Sequence, residues 1–251
     1  MRNLLTNEQM REVDAFAMRN VSGLELMERA GVAVFERIEK LLETIPGTVL
    51  CVCGGGNNGG DGFVVARHLL VNGYAVKVLC RAQKISEETK INREKYLSLG
   101  GVIVEEFPCE TVSVIVDCVL GTGFSGGLRG DAESLIGLIN TQKSLGAYVV
   151  SVDIPSGISS ESGDVLGCAV QADATVTFGE MKLGHVLFPG REYSGTVTVA
   201  DIGFVPVDEE TAKTYVLAHT KEDLVNIPKR KAYSHKGSYG KVLVAAGAKN
   251  M

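Results

Sequence analysis

The 251-residue chain has no tryptophan and only six prolines. It also lacks any stretch of about 18 uncharged apolar residues, so the sequence offers no candidate for a membrane-spanning helix. Its opening, MRNLLTNEQMREVD, carries charges where a secretion signal needs an apolar run. Both absences point to a soluble, cytoplasmic protein with no membrane partner. Cysteine is present at Cys51, Cys53, Cys80, Cys109, Cys118 and Cys168, but no second Cys or His pair at metal spacing accompanies Cys51 and Cys53. These thiols read as buried and reduced rather than as a zinc or redox centre. An overall basic excess is missing too, since the formal charge is −5.

Hydrophobic residues make up 45 % of the chain and charged residues 22 %, enough to bury a core and inconsistent with global disorder. Glycine is in excess, with 30 residues against an average usage near ~7 %. No G-X-Y period is present, which excludes collagen and assigns the excess to loops. The charge is unevenly spread. Lys229, Arg230, Lys231, Lys236, Lys241 and Lys249 follow residue 227 without an acid, leaving 19 basic against 30 acidic residues ahead of them. Such a tail reads as a nucleic-acid arm, a membrane-surface segment or the start of another domain.

Thr6 with Gln9, and Ser22 with Glu25, stand at capping-box spacing and predict helices over 7–19 and 23–44. From Thr48 short apolar runs alternate with helical stretches. Strands are expected at 48–53, 75–80, 102–105, 112–118, 147–152, 173–178 and 195–201, with helices at 60–72, 86–99 and 131–145. Near-continuous apolar runs such as VSVIVDCVL belong to strands covered on both faces. The pattern predicts an α/β fold, a mostly parallel, doubly wound sheet behind an N-terminal helical extension. Residues 206–229 read as a linker with one short helix begun by Thr220, and KVLVAAG at 241–247 as one further strand.

Three loops at strand ends carry polar chemistry, on the edge where open parallel sheets bind ligands. In GGGNNGGDG, Gly54, Gly56 and Gly59 match the dinucleotide spacing G-x-G-x-x-G. Arg81, however, replaces the acidic residue expected after the next strand, and Asp61 falls in the expected first helical turn, where it would repel a phosphate. Asn57 and Asn58 add side-chain amides. In VDCVLGTGFSGG, Asp117 closes a strand and needs a partner if buried. In SVDIPSG, Asp153 ends a strand ahead of Ser156. Asn58, Asp117 and Ser156 offer oxygen ligands with one carboxylate, which suits a hard monovalent cation. Asp153 remains as a candidate acid/base. His68, His185 and Lys182 are weaker candidates, read as a packed or surface histidine, a second histidine and a solvated lysine.

In this order and spacing, GGGNNGGDG, VDCVLGTGFSG, VDIPSG, TFGEMKLGH and GTVTVADIG resemble the YjeF-type N-terminal domain, the NAD(P)H-hydrate epimerase family, over about residues 1–205. The resemblance implies a Rossmann-like three-layer fold, a homodimer or higher homo-oligomer, and a potassium ion beside the substrate. It implies that Asn57, Asn58, Gly59, Gly60 and Asp61, with Gly121, Thr122, Gly123, Phe124, Ser125, Gly126 and Gly127, contact the hydrated dinucleotide. Asp153 would bind the reacting end and transfer its proton, and Asn58, Asp117 and Ser156 would hold potassium. RKAYSHKGSYGKVLVAAG, from Arg230 to Gly247, resembles the opening of the ribokinase-like NAD(P)H-hydrate dehydratase domain, which is fused behind the epimerase in bifunctional repair enzymes. On that reading the basic tail belongs to a domain start rather than to a nucleic-acid arm, and dehydratase (lyase) activity is not expected of 230–251 alone. Two rivals stand beside the isomerase: a non-catalytic dinucleotide- or RNA-associated dimerisation module of the same fold, and a conventional dehydrogenase, disfavoured by Arg81 and Asp61.

Overall fold

A computed structural model of the chain describes residues 2–108, 112–124, 126–128, 130–203, 216–218 and 233–235. Most of the expected linker, the Thr220 helix, the strand at 241–247, Cys109 and Ser125 lie outside the described residues. The elements run β1 (Arg2–Leu5), α1 (Asn7–Ala17), α2 (Gly23–Leu42), β2 (Val49–Cys53), α3 (Asn57–Val71), β3 (Val76–Leu79), α4 (Glu87–Ser98), β4 (Ile103–Val104) and β5 (Val114–Cys118). They continue as α5 (Asp131–Ser144), β6 (Tyr148–Val152), β7 (Ala174–Phe178), β8 (Met181–Lys182), a 3-10 turn (Leu183–His185), α6 (Gly190–Tyr193), β9 (Thr196–Ala200) and β10 (Val216–Ala218).

The main sheet is parallel throughout, in the order β4-β3-β2-β5-β6-β7-β9. Its strand order reverses between β2 and β5, and a crevice opens at such a switch point beyond the carboxyl ends of the strands. Alternation along β2 builds the layers. Val49, Cys51 and Cys53 pack with Val34, Phe35 and Ile38 of α2 and Phe63, Val65 and Leu69 of α3. Leu50 and Val52 turn to the other face, against Leu135, Ile136 and Ile139 of α5. Every residue of β2 is fully buried, which is why these strands read as unbroken apolar runs. The expected three-layer α/β fold is therefore the fold observed.

Two local features depart from the sequence reading. β1 pairs in parallel with β8 (Leu5 opposite Lys182) and antiparallel with β10, so a small second sheet ties the N-terminus to the segment after β7. Within the stretch read as a linker, Val216–Ala218 thus returns to the domain as a strand. The second departure is the start of α3, at Asn57 rather than at 60, with Gly56 as N-cap and no side chain capping it. Asp61 consequently sits beyond the first turn. No helix among the described residues is long and apolar enough to cross a membrane.

Candidate active site

The loops after β2, β5 and β6 converge with α1 and β8 around a cleft of about 640 Å³. Gly56, Asn57, Asn58 and Asp61 line it from α3, Gly121, Thr122, Gly123 and Phe124 from the loop after β5, and Asp153 and Lys182 from below β6 and β7. Because no side chain caps α3, its first N–H groups are open to an anion at this end.

Asp153 lines the cleft in an unusual backbone conformation. It is the one non-glycine residue with a positive φ among the described residues, at φ 67, a conformation that Asp tolerates better than most but that still costs energy. Three bonds hold it there. Its N–H donates to the Val176 carbonyl at 2.8 Å, the Thr122 N–H donates to its Oδ2 at 3.1 Å, and His185 Nε2 bonds its carbonyl oxygen at 2.9 Å. The Lys182 backbone N–H donates to His185 Nδ1 at 3.0 Å, so Nε2 carries the proton and the ring is neutral. Burial and the Lys182 charge pull the His185 pKa down to about 4, which keeps it so. His185 is a clamp on the strained Asp153 backbone.

Lys182, read from the sequence as solvated, is only 1 % exposed. Its ammonium lies 2.9 Å from Asp153 Oδ1 and donates to Thr177 Oγ1 at 2.8 Å and to the Phe178 carbonyl at 3.1 Å. Burial opposes ionisation of Asp153, but the Lys182 charge and hydrogen bonds from Lys182 and Thr122 win and lower its pKa to about 2. Near neutral pH these contacts favour the ionised carboxylate, the form that accepts a proton.

Asp117 is fully buried. Its Oδ2 accepts from Ser151 Oγ at 2.8 Å and from the Ser156 N–H at 2.9 Å. Its Oδ1 accepts from Ser156 Oγ at 2.6 Å and from the Val119 N–H at 3.3 Å. Burial still raises its pKa against these bonds. Asn58 Nδ2 donates to the Leu120 carbonyl at 2.8 Å, and Ser156 Oγ accepts from the Leu120 N–H at 2.8 Å. Asn58, Asp117 and Ser156 thus meet along Val119–Leu120. Asn58 Oδ1 is buried with no hydrogen-bond partner among the described residues, an acceptor lacking its donor there.

The glycines divide sharply. A Cβ on Gly54 would lie 2.0 Å from the Val119 carbonyl oxygen, on Gly59 2.0 Å from the Gly54 carbonyl oxygen, and on Gly60 2.5 Å from Met27 Sδ. Gly59 and Gly60 are buried and are not among the residues that line the cleft. Gly56 has open space around its Cβ position and faces the cleft. Gly126 and Gly127 also have open space and lie outside the cleft lining.

The remaining candidates fall away from the site. His68 packs on Phe35, with ring centroids 5.6 Å apart, and bonds Glu28 at 2.8 Å. Arg81 donates to the Glu105 carbonyl at 2.6 Å and does not line the cleft. Cys51, Cys53 and Cys118 are buried and free, Cys80 and Cys168 free and partly buried. No cluster of three His, Cys, Asp or Glu suited to a metal occurs among the described residues. What the sequence reading missed is α1, which lines the cleft with Asn7, Met10, Arg11 and Asp14. Their helical spacing was legible from the capping box at Thr6, but nothing in it told that this face looks inward at the sheet edge.

A family model described as YjeF-related protein N-terminus matches residues 23–184. The chain is 41 % identical, over 89 % of its length, to the bifunctional NAD(P)H-hydrate repair enzyme Nnr of Thermofilum pendens, covering 44 % of that protein. With the enzyme of the same name from Moorella thermoacetica it shares 36 % identity over 98 % of its length and 49 % of that protein. The chain therefore spans about half the length of these relatives. It covers 96 % of the NAD(P)H-hydrate epimerase of Oenococcus oeni at 35 % identity. The crystal structure of yeast YNL200c superposes with a TM-score of 0.70 over 84 % of this chain and 92 % of that one. At 21 % identity that likeness is one of fold.

Proposed function

The chain belongs to the family of YjeF-related protein N-termini, and from that premise we propose that it is an isomerase, an epimerase interconverting the R and S forms of hydrated NADH and NADPH. The observation that carries the reading is the buried Asp153–Lys182 pair, set beyond the carboxyl edge of a parallel sheet in the same cleft as an uncapped helix N-terminus. A match over 79 % of this chain and 96 % of a protein named NAD(P)H-hydrate epimerase supports it. The alternative, a non-catalytic dimerisation module, gains nothing from relatives named as enzymes, and the dehydrogenase rival lacks its acidic residue after β3, where Arg81 is held by Glu105.

Hydration places a hydroxyl on ring carbon 6 of the nicotinamide, next to the ring nitrogen. Losing that hydroxyl with help from the nitrogen lone pair leaves a cationic C=N bond, and re-addition of water to the opposite face inverts the centre. The fixed carboxylate of Asp153, preorganised by Lys182, Thr122 and His185, suits a cation that exists only on the way between the two forms. The N–H groups opening α3 and the Gly121–Phe124 loop suit the pyrophosphate. Asn57, Asn58 and Asp61 contact the dinucleotide on this reading, with Gly121, Thr122, Gly123 and Phe124. Incubating the protein with purified S-hydrate and following the R form by chromatography tests the proposal. R appearing well above the spontaneous rate is expected; no acceleration overturns it.

The orphaned buried oxygen of Asn58, together with Asp117 and Ser156, fits a potassium ion: oxygen donors only, with one carboxylate. A cation there would supply fixed positive charge beside the substrate's phosphates. We expect the melting temperature in potassium chloride to exceed that in tetramethylammonium chloride at equal ionic strength, and the difference to vanish in Asn58→Ala. Equal melting of the wild type in both salts would remove potassium from the proposal. Fusion to a dehydratase domain, a homo-oligomeric state and a cytoplasmic setting are part of the same proposed picture, suggested by the bifunctional relatives' names and by the family resemblance.

A further inference from the structure

We infer that Asp14, on the helix that lines the cleft together with the Asp153–Lys182 pair, carries the proton that goes to the departing hydroxyl of the hydrated ring. The role rests on the epimerase reading. Asp14 lies ahead of the stretch matched by the family model, which begins at residue 23.

The geometry starts from β1. Its parallel pairing sets Leu5 opposite Lys182, and the chain then turns through Thr6 directly into α1. Ser160 Oγ donates to Asn7 Oδ1 at 2.5 Å and Asn3 Nδ2 to Glu180 Oε1 at 3.1 Å, so β1 and the start of α1 are pinned to the elements around the site. Asp14, two turns further on, faces the same cleft as Arg11 on its own helix, Asp61 on α3, Glu88 on α4, Asp153 after β6 and Lys182 on β8.

Lys182 is already engaged by Asp153, and Asp61 has no hydrogen bond or ion pair with any described residue. Four carboxyls, Asp14, Asp61, Glu88 and Asp153, share the cleft with Arg11 and the committed Lys182, and Asp14, Asp61 and Asp153, whose charges meet there, cannot all ionise cheaply. The environment separates them. Asp153 is held down to about 2 by Lys182. Asp61, desolvated and facing the Asp153 charge, is pushed well above the carboxylate range. Asp14 is raised by burial and by Asp153 and lowered by Lys182, and settles at about 6. Lys182 favours the ionised form of Asp153, and burial favours the neutral form of Asp61. A group near the operating pH both gives and takes a proton.

In the step, the Asp14 acid gives its proton to the carbon-6 oxygen, the C–O bond breaks with its electron pair on oxygen, and water leaves. The ring-nitrogen lone pair closes the C=N bond, whose charge faces the Asp153 carboxylate. A water adding to the opposite face loses a proton, which through cleft water restores the Asp14 acid, so nothing is consumed.

The experiment measures S-to-R epimerisation from pH 5 to 9 for the wild type, Asp14→Asn and Asp14→Glu, beside carbon NMR of aspartate labelled at the carboxyl carbon. In the wild type, kcat/KM should fall as pH rises through about 6. Asp14→Asn should lose about a hundredfold in kcat at pH 6 with KM within a few-fold and no such limb, and Asp14→Glu should restore the limb. A carboxyl resonance titrating near 6 should vanish in Asp14→Asn. Its melting at pH 8 should not fall, since ionising a carboxyl with a raised pKa opposes folding above that pKa. An Asp14→Asn enzyme that keeps the limb, or a wild type with no carboxyl titrating near 6, overturns the assignment. A wild type that does not epimerise overturns the catalytic role along with the epimerase reading; a resonance near 6 still lost in Asp14→Asn would then show that the failure lies in that reading and not in the titration of Asp14.

Discussion

Lys182→Met is expected to lower stability at pH 7 by about 3–5 kcal/mol, the cost of leaving one partner of a buried ion pair alone, and to reduce epimerisation at least about a hundredfold. Met fills much of the Lys volume, so the loss comes from charge rather than from a cavity. It leaves the Asp153 carboxylate in a site where only Thr122 and Thr177 still donate to it, and its pKa must climb from about 2.

That climb fixes the pH dependence. A carboxyl whose folded pKa is depressed from 3.8 to about 2 contributes stability that is full above pH 3.8 and lost as pH falls through about 2. The shift corresponds to roughly 2 kcal/mol at 1.36 kcal/mol per pH unit. Urea denaturation should therefore show a large gap between wild type and Lys182→Met at pH 7 that narrows toward pH 2. The double variant Lys182→Met with Asp153→Asn should recover part of the loss, because no unpaired charge remains. A single variant as stable as the wild type, or a gap that does not change with pH, would contradict the ion pair.

Gly59→Ala should destabilise the fold by roughly 3 kcal/mol or more, although helix propensity alone predicts a gain of about 1 kcal/mol for Gly→Ala in a helix interior. The added methyl would stand 2.0 Å from the Gly54 carbonyl oxygen, a backbone atom at the end of β2 that cannot swing aside. Packing outweighs propensity by a wide margin. Gly56→Ala is the control, because nothing lies within 4 Å of its Cβ position and its φ of −85 suits any residue. Its stability should stay within about 0.5 kcal/mol of wild type, while KM for the hydrate rises if the dinucleotide runs past the start of α3. Equal unfolding midpoints for the two variants would refute this division of the glycines.

Part of the site was legible because its residues stand at the ends of recognisable strands. Asp117 and Asp153 interrupt apolar runs, and a carboxylate there demands partners, which Ser151 and Ser156 supply for one and Lys182 for the other. The ion pair of Asp153 was not legible. Its acidity depends on Lys182, 29 positions later in the chain, and no spacing rule announces that this lysine turns inward. Asp61 stands beyond the first turn of α3, because the missing side chains of Gly59 and Gly60 let the helix begin at Asn57 against Gly54 and Met27.

The sequence by itself determined the layered α/β fold and the edge where the site lies. Strands buried on both faces must be apolar at every position, and the polar loops that follow them can only gather at one edge of a parallel sheet. Tertiary structure alone decided the electrostatics. Whether a carboxyl carries a proton depends on which charges and how much water surround it, and for Asp14, Asp61 and Asp153 those surroundings come from α1, α3 and β8, elements far apart in the chain.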